Sequence, residues 1–262
     1  MNMQRNIKVL SHDRGFLLFN HNSHINYSTL AARCIEQLKH HMPDIPVVVA
    51  GFPVMNADGN YVNVKKFENN RKVFGNQAKP WHNLSRVQAY ELSPFENTIV
   101  LDTDYMATSN ALEKLFDCDQ PLQMHRAWYD IRNTTVENIR MGKSELDMFW
   151  ATVLKFRKCD QVAKFFTLWQ SVLHNWKYYA DLYYISKHIV RNDFAVTIAL
   201  HQLNNHNDCS HCEIPWPIHT TRDMISVQGL TRDKIFLFDN HGQFTVKFDC
   251  HILNKESLQD AC

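Results

Sequence analysis

The order of apolar runs over the first fifty residues is the strongest constraint on how this chain can fold. Gly15 to Asn20 (GFLLFN) has the length and composition of a buried strand, and a polar loop follows it. From Ser28 to His41 the residues Leu30, Ala31, Cys34, Ile35 and Leu38 recur at helical spacing and share one face. Ile45 to Ala50 (IPVVVA) is again strand-like and rich in β-branched side chains. Strand, one-faced helix and strand make a βαβ unit, whose two strands run parallel because the helix carries the chain back along the sheet. The chain is therefore predicted to be α/β with a parallel core.

Composition narrows the reading. With 262 residues, 45% of them hydrophobic, the chain can bury a core without staples, and one domain over residues 1–262 is expected. Lysine and arginine number 28 against 27 aspartates and glutamates, so no bulk field commits the protein to nucleic acid or an anionic membrane. A local basic patch is still open: Lys65, Lys66, Arg71, Lys72 and Lys79 face a single Glu68 between Tyr61 and Lys79, a stretch that reads as a solvated loop or hairpin or as a phosphate-facing surface. The longest apolar run, Ile45 to Met55, has 11 residues and two prolines. A bilayer crossing takes about 20, so no membrane association is expected. Seven scattered cysteines and an opening stretch without the apolar core of a signal peptide point to a reducing, cytoplasmic setting. Only 7 glycines are present and no glycine-rich phosphate loop occurs, so any nucleotide is held by other means.

The chemistry is concentrated where Thr98 to Leu101 (TIVL), another buried strand, runs directly into Asp102-Thr103-Asp104. In open α/β sheets ligands bind beyond the carboxyl ends of the strands, and two aspartates two residues apart there can turn toward one divalent cation. The competing reading has them cap the helix expected over Asn110 to Phe116. Further helices are predicted over Leu84 to Leu92, Asp160 to Tyr179 and Asp193 to Leu203, and strands over Met148 to Phe156, Lys234 to Asp239 and Phe244 to Phe248. The aromatics of Asp160 to Tyr179 read as core. Cys209 and Cys212, with His206, His211 and His219 nearby, have ligand types compatible with a structural zinc ion at Cys209, Cys212, His206 and His219. A loop of reduced thiols is the favoured reading of the same residues, and zinc the alternative to it.

The stretch from Arg86 to Phe116 resembles the donor-binding core of GT-A-fold glycosyltransferases. The matching residues are Arg86 in a helix, Ser93-Pro94-Phe95, Ile99-Val100-Leu101-Asp102-Thr103-Asp104 and Leu112-Glu113-Lys114-Leu115-Phe116. The chain is most similar to the glycogenin and lipopolysaccharide galactosyltransferase type and to related proteins of tailed phages. The resemblance implies a GT-A-like, Rossmann-like domain with a mixed, mainly parallel sheet flanked by helices. The implied activity is transfer of a hexosyl or pentosyl group from a nucleotide-diphosphate sugar, foremost a UDP-sugar, to an acceptor hydroxyl.

In that family the D-x-D carboxylates bind manganese, or magnesium in its place, and the ion bridges the diphosphate of the donor. Asp102 and Asp104 are thereby implied as metal and donor ligands, and Arg86 as the basic donor contact. The family also has a late histidine that binds the metal and a following lysine that holds the diphosphate. His251-Ile252-Leu253-Asn254-Lys255 matches this without the family's glycine, implying His251 as a metal ligand and Lys255 as a donor contact. Arg191-Asn192-Asp193 reads from its residues as a helix cap. By resemblance it borders the sugar, making Asp193 and Asn192 the catalytic candidates. The resemblance also implies that Asn20 and Tyr27, after the first strand, fall against the nucleotide base.

The phage likeness further implies a hydroxylated pyrimidine in DNA as acceptor, with Lys65, Lys66, Arg71 and Lys72 on the phosphates, and the host cytoplasm as location. Saccharide or protein acceptors and a noncatalytic zinc-organised module are the alternatives. A phosphotransferase of the haloacid dehalogenase type would continue D-x-D-x-[TV], but Met106 fills that last position. Nucleotidyltransferases use a glycine-rich N-terminal loop, whereas Gly15 is the only glycine of the first 50 residues.

Overall fold

The computed structural model describes residues 13–21, 25–61, 64, 71–74, 77–80, 83–132, 136–186 and 190–262. The chain opens with β1 (Arg14–Asn20), α1 (Tyr27–His41), β2 (Val47–Gly51) and β3 (Gly59–Tyr61), followed by a hairpin of β4 (Arg71–Phe74) and β5 (Gln77–Pro80). A 3-10 turn, Asn83–Gln88, continues as α2 (Ala89–Leu92) and leads into β6 (Asn97–Leu101) and the two-residue β7 (Tyr105–Met106). After a second 3-10 turn, Ala111–Leu115, come β8 (Leu122–His125), β9 (Ala127–Asp130), β10 (Val136–Asn138) and β11 (Trp150–Arg157). The helices α3 (Asp160–His174), α4 (Trp176–Leu182) and α5 (Asn192–Leu203) follow. The remainder is β12 (Ile218–Thr220), β13 (Ser226–Leu230), β14 (Ile235–Asp239), β15 (Gly242–Val246), β16 (Cys250–His251) and α6 (Lys255–Ala261).

Among the described residues the central sheet runs β3-β2-β1-β6-β11-β8. β1, β2, β3 and β6 are mutually parallel, and β11 is antiparallel to both β6 and β8, so β11 alone is reversed. The parallel core is the one expected from the opening βαβ unit, and the mixed, mainly parallel sheet is the one the resemblance implies. Alternation along each strand divides the core into two layers. Phe16, Leu18, Val47, Val49, Ile99 and Leu101 pack with Leu30, Ala31, Cys34, Ile35 and Leu38 of α1. Leu17, Val48, Val100 and Leu154 face the other way, onto Phe165 and Trp169 of α3 and Val196 and Ile198 of α5. Burial on both faces explains why these strands read as continuous apolar runs.

Gly15 shows how tightly the sheet is packed at its start. A Cβ there would fall 2.3 Å from the ring of Phe95, which is itself buried. Gly15→Ala is expected to cost about 1–3 kcal/mol through overpacking, read as a lower urea midpoint with an unchanged slope.

Two smaller sheets complete the architecture. One runs β10-β9-β12-β16-β7 and places His251 opposite Tyr105. The other is the meander β13-β14-β15. On α1, Arg33 Nη2 and Gln37 Nε2 donate to the carbonyls of Leu230 and Thr231, and His41 Nε2 bonds that of Arg232, at 3.0, 3.1 and 2.8 Å. Three side chains at four-residue intervals thus grip three consecutive carbonyls at the end of β13.

Several expected boundaries shift. Leu84–Leu92 is 3-10 turn and a single α turn rather than one helix, and Asn110–Phe116 is a 3-10 turn. The helix expected from Asp160 to Tyr179 breaks at Asn175, whose side-chain amide bonds the carbonyl of Ser171. The late strand expected over Phe244 to Phe248 spans Gly242–Val246. Lys65 and Lys66 lie outside the described residues, whereas Arg71 and Lys72 belong to β4. No helix among the described residues is long and apolar enough to cross a membrane.

Candidate metal and donor site

β6 ends at Leu101, and the next residue leaves the sheet in a tight turn. The Asp102 N–H donates to Thr152 O at 3.0 Å, and the Tyr105 N–H returns to Asp102 O at 3.1 Å. This turn carries both aspartates at the carboxyl end of the central strands. The short pairing of β7 with β16 brings in residues almost 150 positions later, and the Ile252 N–H donates to Asp104 O at 3.0 Å. Asp249 fixes the approach to β16 by accepting from the Thr108 N–H at 2.9 Å and from Ser109 Oγ at 2.8 Å.

As a result Asp102, Asp104 and His251 each offer a ligand atom, all within 4.8 Å of one another. Asp104 is only 1% exposed, and its Oδ2 lies 3.4 Å from His251 Nε2 and 2.6 Å from Lys255 Nζ. Burial alone would raise the Asp104 pKa. The Lys255 ammonium and His251 outweigh it and hold the carboxyl well below the usual carboxylate range. For Lys255 burial pulls the pKa down, and the neighbouring Asp104 and Tyr27 more than offset it, leaving it raised. Two carboxylates and one imidazole form a mixed oxygen and nitrogen donor set of the kind that can hold a divalent cation.

Basic groups close around these acids. Arg86, from the 3-10 turn before α2, pairs its Nη2 with Asp102 Oδ1 and donates from Nη1 to Ala151 O at 2.7 Å. Lys255 is the first residue of α6, whose cap Asn254 accepts from the Ser257 N–H at 3.1 Å. Gln259 of the same helix accepts from the Asn26 N–H at 2.7 Å, tying α6 to the head of α1. Tyr27 consequently stands against Lys255, with Nζ 5.4 Å from its ring centre, and burial raises its pKa.

Asp193 reaches the same place through β11. The expected helix cap is not made: Arg191 occupies the cap position without a side-chain capping bond. Instead Asp193 Oδ1 accepts from the Ala151 N–H and Oδ2 from Arg191 Nη2, both at 3.0 Å. Ala151 thus joins Arg86 by its carbonyl and Asp193 by its N–H, a connection without any side-chain signal in the sequence. Asn192 is buried at the start of α5. Asn20 is fully buried, and its amide donates to Ser28 Oγ and Phe52 O, both at 2.9 Å. It therefore shapes the rim between β1 and α1.

The alternative zinc site at Cys209, Cys212, His206 and His219 is not assembled: no three of them offer ligand atoms within 4.8 Å of one another. His206 packs on His201, while His219 of β12 packs on Phe248 and Tyr129. Burial pushes the Cys212 thiol up to about 12 and raises that of Cys209, which disfavours the thiolate a metal needs. A second His-rich group, His40, His41 and Asp233, also falls within 4.8 Å, but His41 Nε2 already bonds Arg232 O there.

No protein-family model and no curated protein matches the chain. Among solved structures it is similar to the glycosyltransferase GlyE of Streptococcus pneumoniae TIGR4, at 14% identity and TM-score 0.40 over 73% of this chain and 43% of GlyE. It is also similar to an active-site mutant of LgtC, at 16% identity and TM-score 0.44 over 71% of this chain and 69% of that one. The galactosyltransferase LgtC in complex with donor and acceptor sugar analogues gives 14% identity and TM-score 0.42 over 71% and 70%. The chain spans less than half the length of GlyE.

Proposed function

We propose that the protein is a metal-dependent glycosyltransferase that moves a sugar from a nucleotide-diphosphate donor, foremost a UDP-sugar, to an acceptor hydroxyl. The observation that carries this reading is the grouping of Asp102, Asp104 and His251 within 4.8 Å at the carboxyl end of the parallel strands, with Arg86 and Lys255 pressed against the two acids. Acids and bases in one cluster suit a ligand that is a cation and a polyanion together.

Asp102, Asp104 and His251 would hold the ion, which when bound supplies positive charge against the diphosphate oxygens. Arg86 and Lys255 add fixed charge where negative charge develops on the departing diphosphate as C1 of the sugar becomes positive. Tyr27 flanks Lys255 on the side assigned to the nucleotide, and Asn20 shapes that rim. Asp193, held by the N–H of the same Ala151 whose carbonyl accepts from Arg86, orients the sugar together with Asn192. On the acceptor side we propose the hydroxyl of a hydroxylated pyrimidine in DNA, a reading that rests on the sequence likeness to phage-encoded proteins.

A thermal-shift and hydrolysis screen of nucleotide sugars with Mn2+ tests the donor half. A UDP-sugar should stabilise the protein only with metal present, and indifference to every nucleotide sugar would overturn the proposal. Mass spectrometry of nucleosides from hydroxymethylated DNA, incubated with the active donor, tests the acceptor. Transfer to a saccharide or protein hydroxyl with no base adduct would reject DNA and leave the transferase standing.

A further inference from the structure

Lys255 occupies the position where the buried acid pair most needs positive charge. Its Nζ lies 2.6 Å from Asp104 Oδ2, the same oxygen that His251 Nε2 approaches at 3.4 Å. Arg86 answers Asp102 in the same way. The two cations differ in their freedom to leave. Arg86 keeps 11% of its side chain exposed and is tied a second time, to Ala151 O. Lys255 keeps 31% exposed and sits at the head of a seven-residue helix, on a four-carbon stem.

We propose that Lys255 is the internal counter-charge of the metal site. Its ammonium and a divalent cation exclude each other at Asp104, and an anionic diphosphate draws the ammonium away, so that metal and donor bind with positive coupling. This rests on the nucleotide-sugar reading for the identity of the anion, but the competition itself needs only the ion pair. An ammonium and a dication on one buried carboxylate would stand about 3–4 Å apart, where their repulsion is worth well over tenfold in a binding constant even at the effective dielectric of a protein surface. The diphosphate relieves that repulsion by accepting the ammonium, and by linkage whatever tightens metal in the presence of diphosphate tightens diphosphate equally in the presence of metal. Lys255 then does two jobs in succession: it neutralises Asp104 in the empty site, and it meets the leaving group in the filled one.

The consequence runs against the usual expectation for removing a basic residue from a ligand site. Mn2+ binding by the whole chain, followed by electron paramagnetic resonance of the free ion, should be weak in the wild type and at least tenfold tighter once UDP is added. Lys255→Met should bind Mn2+ at least tenfold more tightly than wild type without any nucleotide, and the further gain from UDP should be smaller than in the wild type, since only direct contact between ion and diphosphate is left to couple them. Lys255→Arg keeps the charge and should stay close to wild type.

Unchanged or weaker Mn2+ binding by Lys255→Met overturns the inference, as does an equal gain in Lys255→Arg, since charge would then not be the cause. Absence of coupling between UDP and Mn2+ in the wild type overturns the second half. If no variant binds Mn2+, the inference falls together with the metal reading. Tighter Mn2+ binding by Lys255→Met, in a protein that turns over no nucleotide sugar, upholds the competition and removes the transferase.

Discussion

Replacing Asp104 with Asn should abolish sugar transfer, lowering it by about three orders of magnitude, while the protein still folds. Asparagine keeps the volume of the side chain and can still accept from Lys255, and the bond from the Ile252 N–H goes to the backbone of residue 104, which is unaffected. What is lost is the charge on a group only 1% exposed, where few water dipoles can compensate. A lost charge contact in a shielded site amounts to several kcal/mol of transition-state stabilisation, at about 1.4 kcal/mol per factor of ten. Because Lys255 and His251 hold the carboxyl ionised far into the acid range, acidification from neutrality to pH 5 should not mimic the substitution through this residue. Transfer at the wild-type rate, alongside a native circular dichroism spectrum, would remove Asp104 from the site.

The second large effect concerns acid stability and lies in β8. His125 is 1% exposed, its Nδ1 lies 2.9 Å from Trp216 O, and its Nε2 is buried without a hydrogen-bond partner among the described residues. A carbonyl can only accept, so Nδ1 carries a proton whatever the charge of the ring. Burial lowers its pKa to about 4; the Trp216 carbonyl opposes the shift and His219 adds to it. In the unfolded chain the ring takes up a proton near pH 6.5, whereas in the folded protein it does so only near pH 4. The unfolded state therefore binds more protons across this window, and folding stability must fall as the pH drops from 6.5 toward 4. The full linkage amounts to about 3 kcal/mol. Urea titrations at a series of pH values should show this loss in the wild type and a much smaller one in His125→Asn, which retains a donor for Trp216 O. Equal slopes in the two proteins would show that the ring is not the source.

Where the sequence was readable, one local pattern decided the outcome. Continuous apolar runs in GFLLFN, IPVVVA and TIVL, and helical spacing in α1 and α5, are short-range properties, and burial on both faces of the sheet made the runs conspicuous. β8, β9, β12 and β16 have two to four residues each and owe their existence to partners far away in the chain, so no window of sequence announces them. The site divides in the same way. Asp102 and Asp104 stand at the end of a visible strand. His251 joins them only because β16 pairs with β7, and that pairing depends on Asp249 and on backbone bonds. Ala151 was beyond reach altogether, since it acts through its peptide groups. The zinc alternative fails for a related reason: Cys209 caps the 3-10 turn that ends at Cys212, but His219 belongs to β12.

The grip of Arg33, Gln37 and His41 on Leu230, Thr231 and Arg232 engages only main-chain oxygens. Every residue type presents the same carbonyl, so the gripped segment is constrained in path and free in identity, while the gripping residues must each supply a donor of the right reach. Among descendants of this chain, variation should therefore accumulate unequally across one contact, with drift at Leu230 to Arg232 and retention of long donor side chains at Arg33 and Gln37. Such a contact lets the meander that supports α6, and with it Lys255, change its surface chemistry without moving the helix.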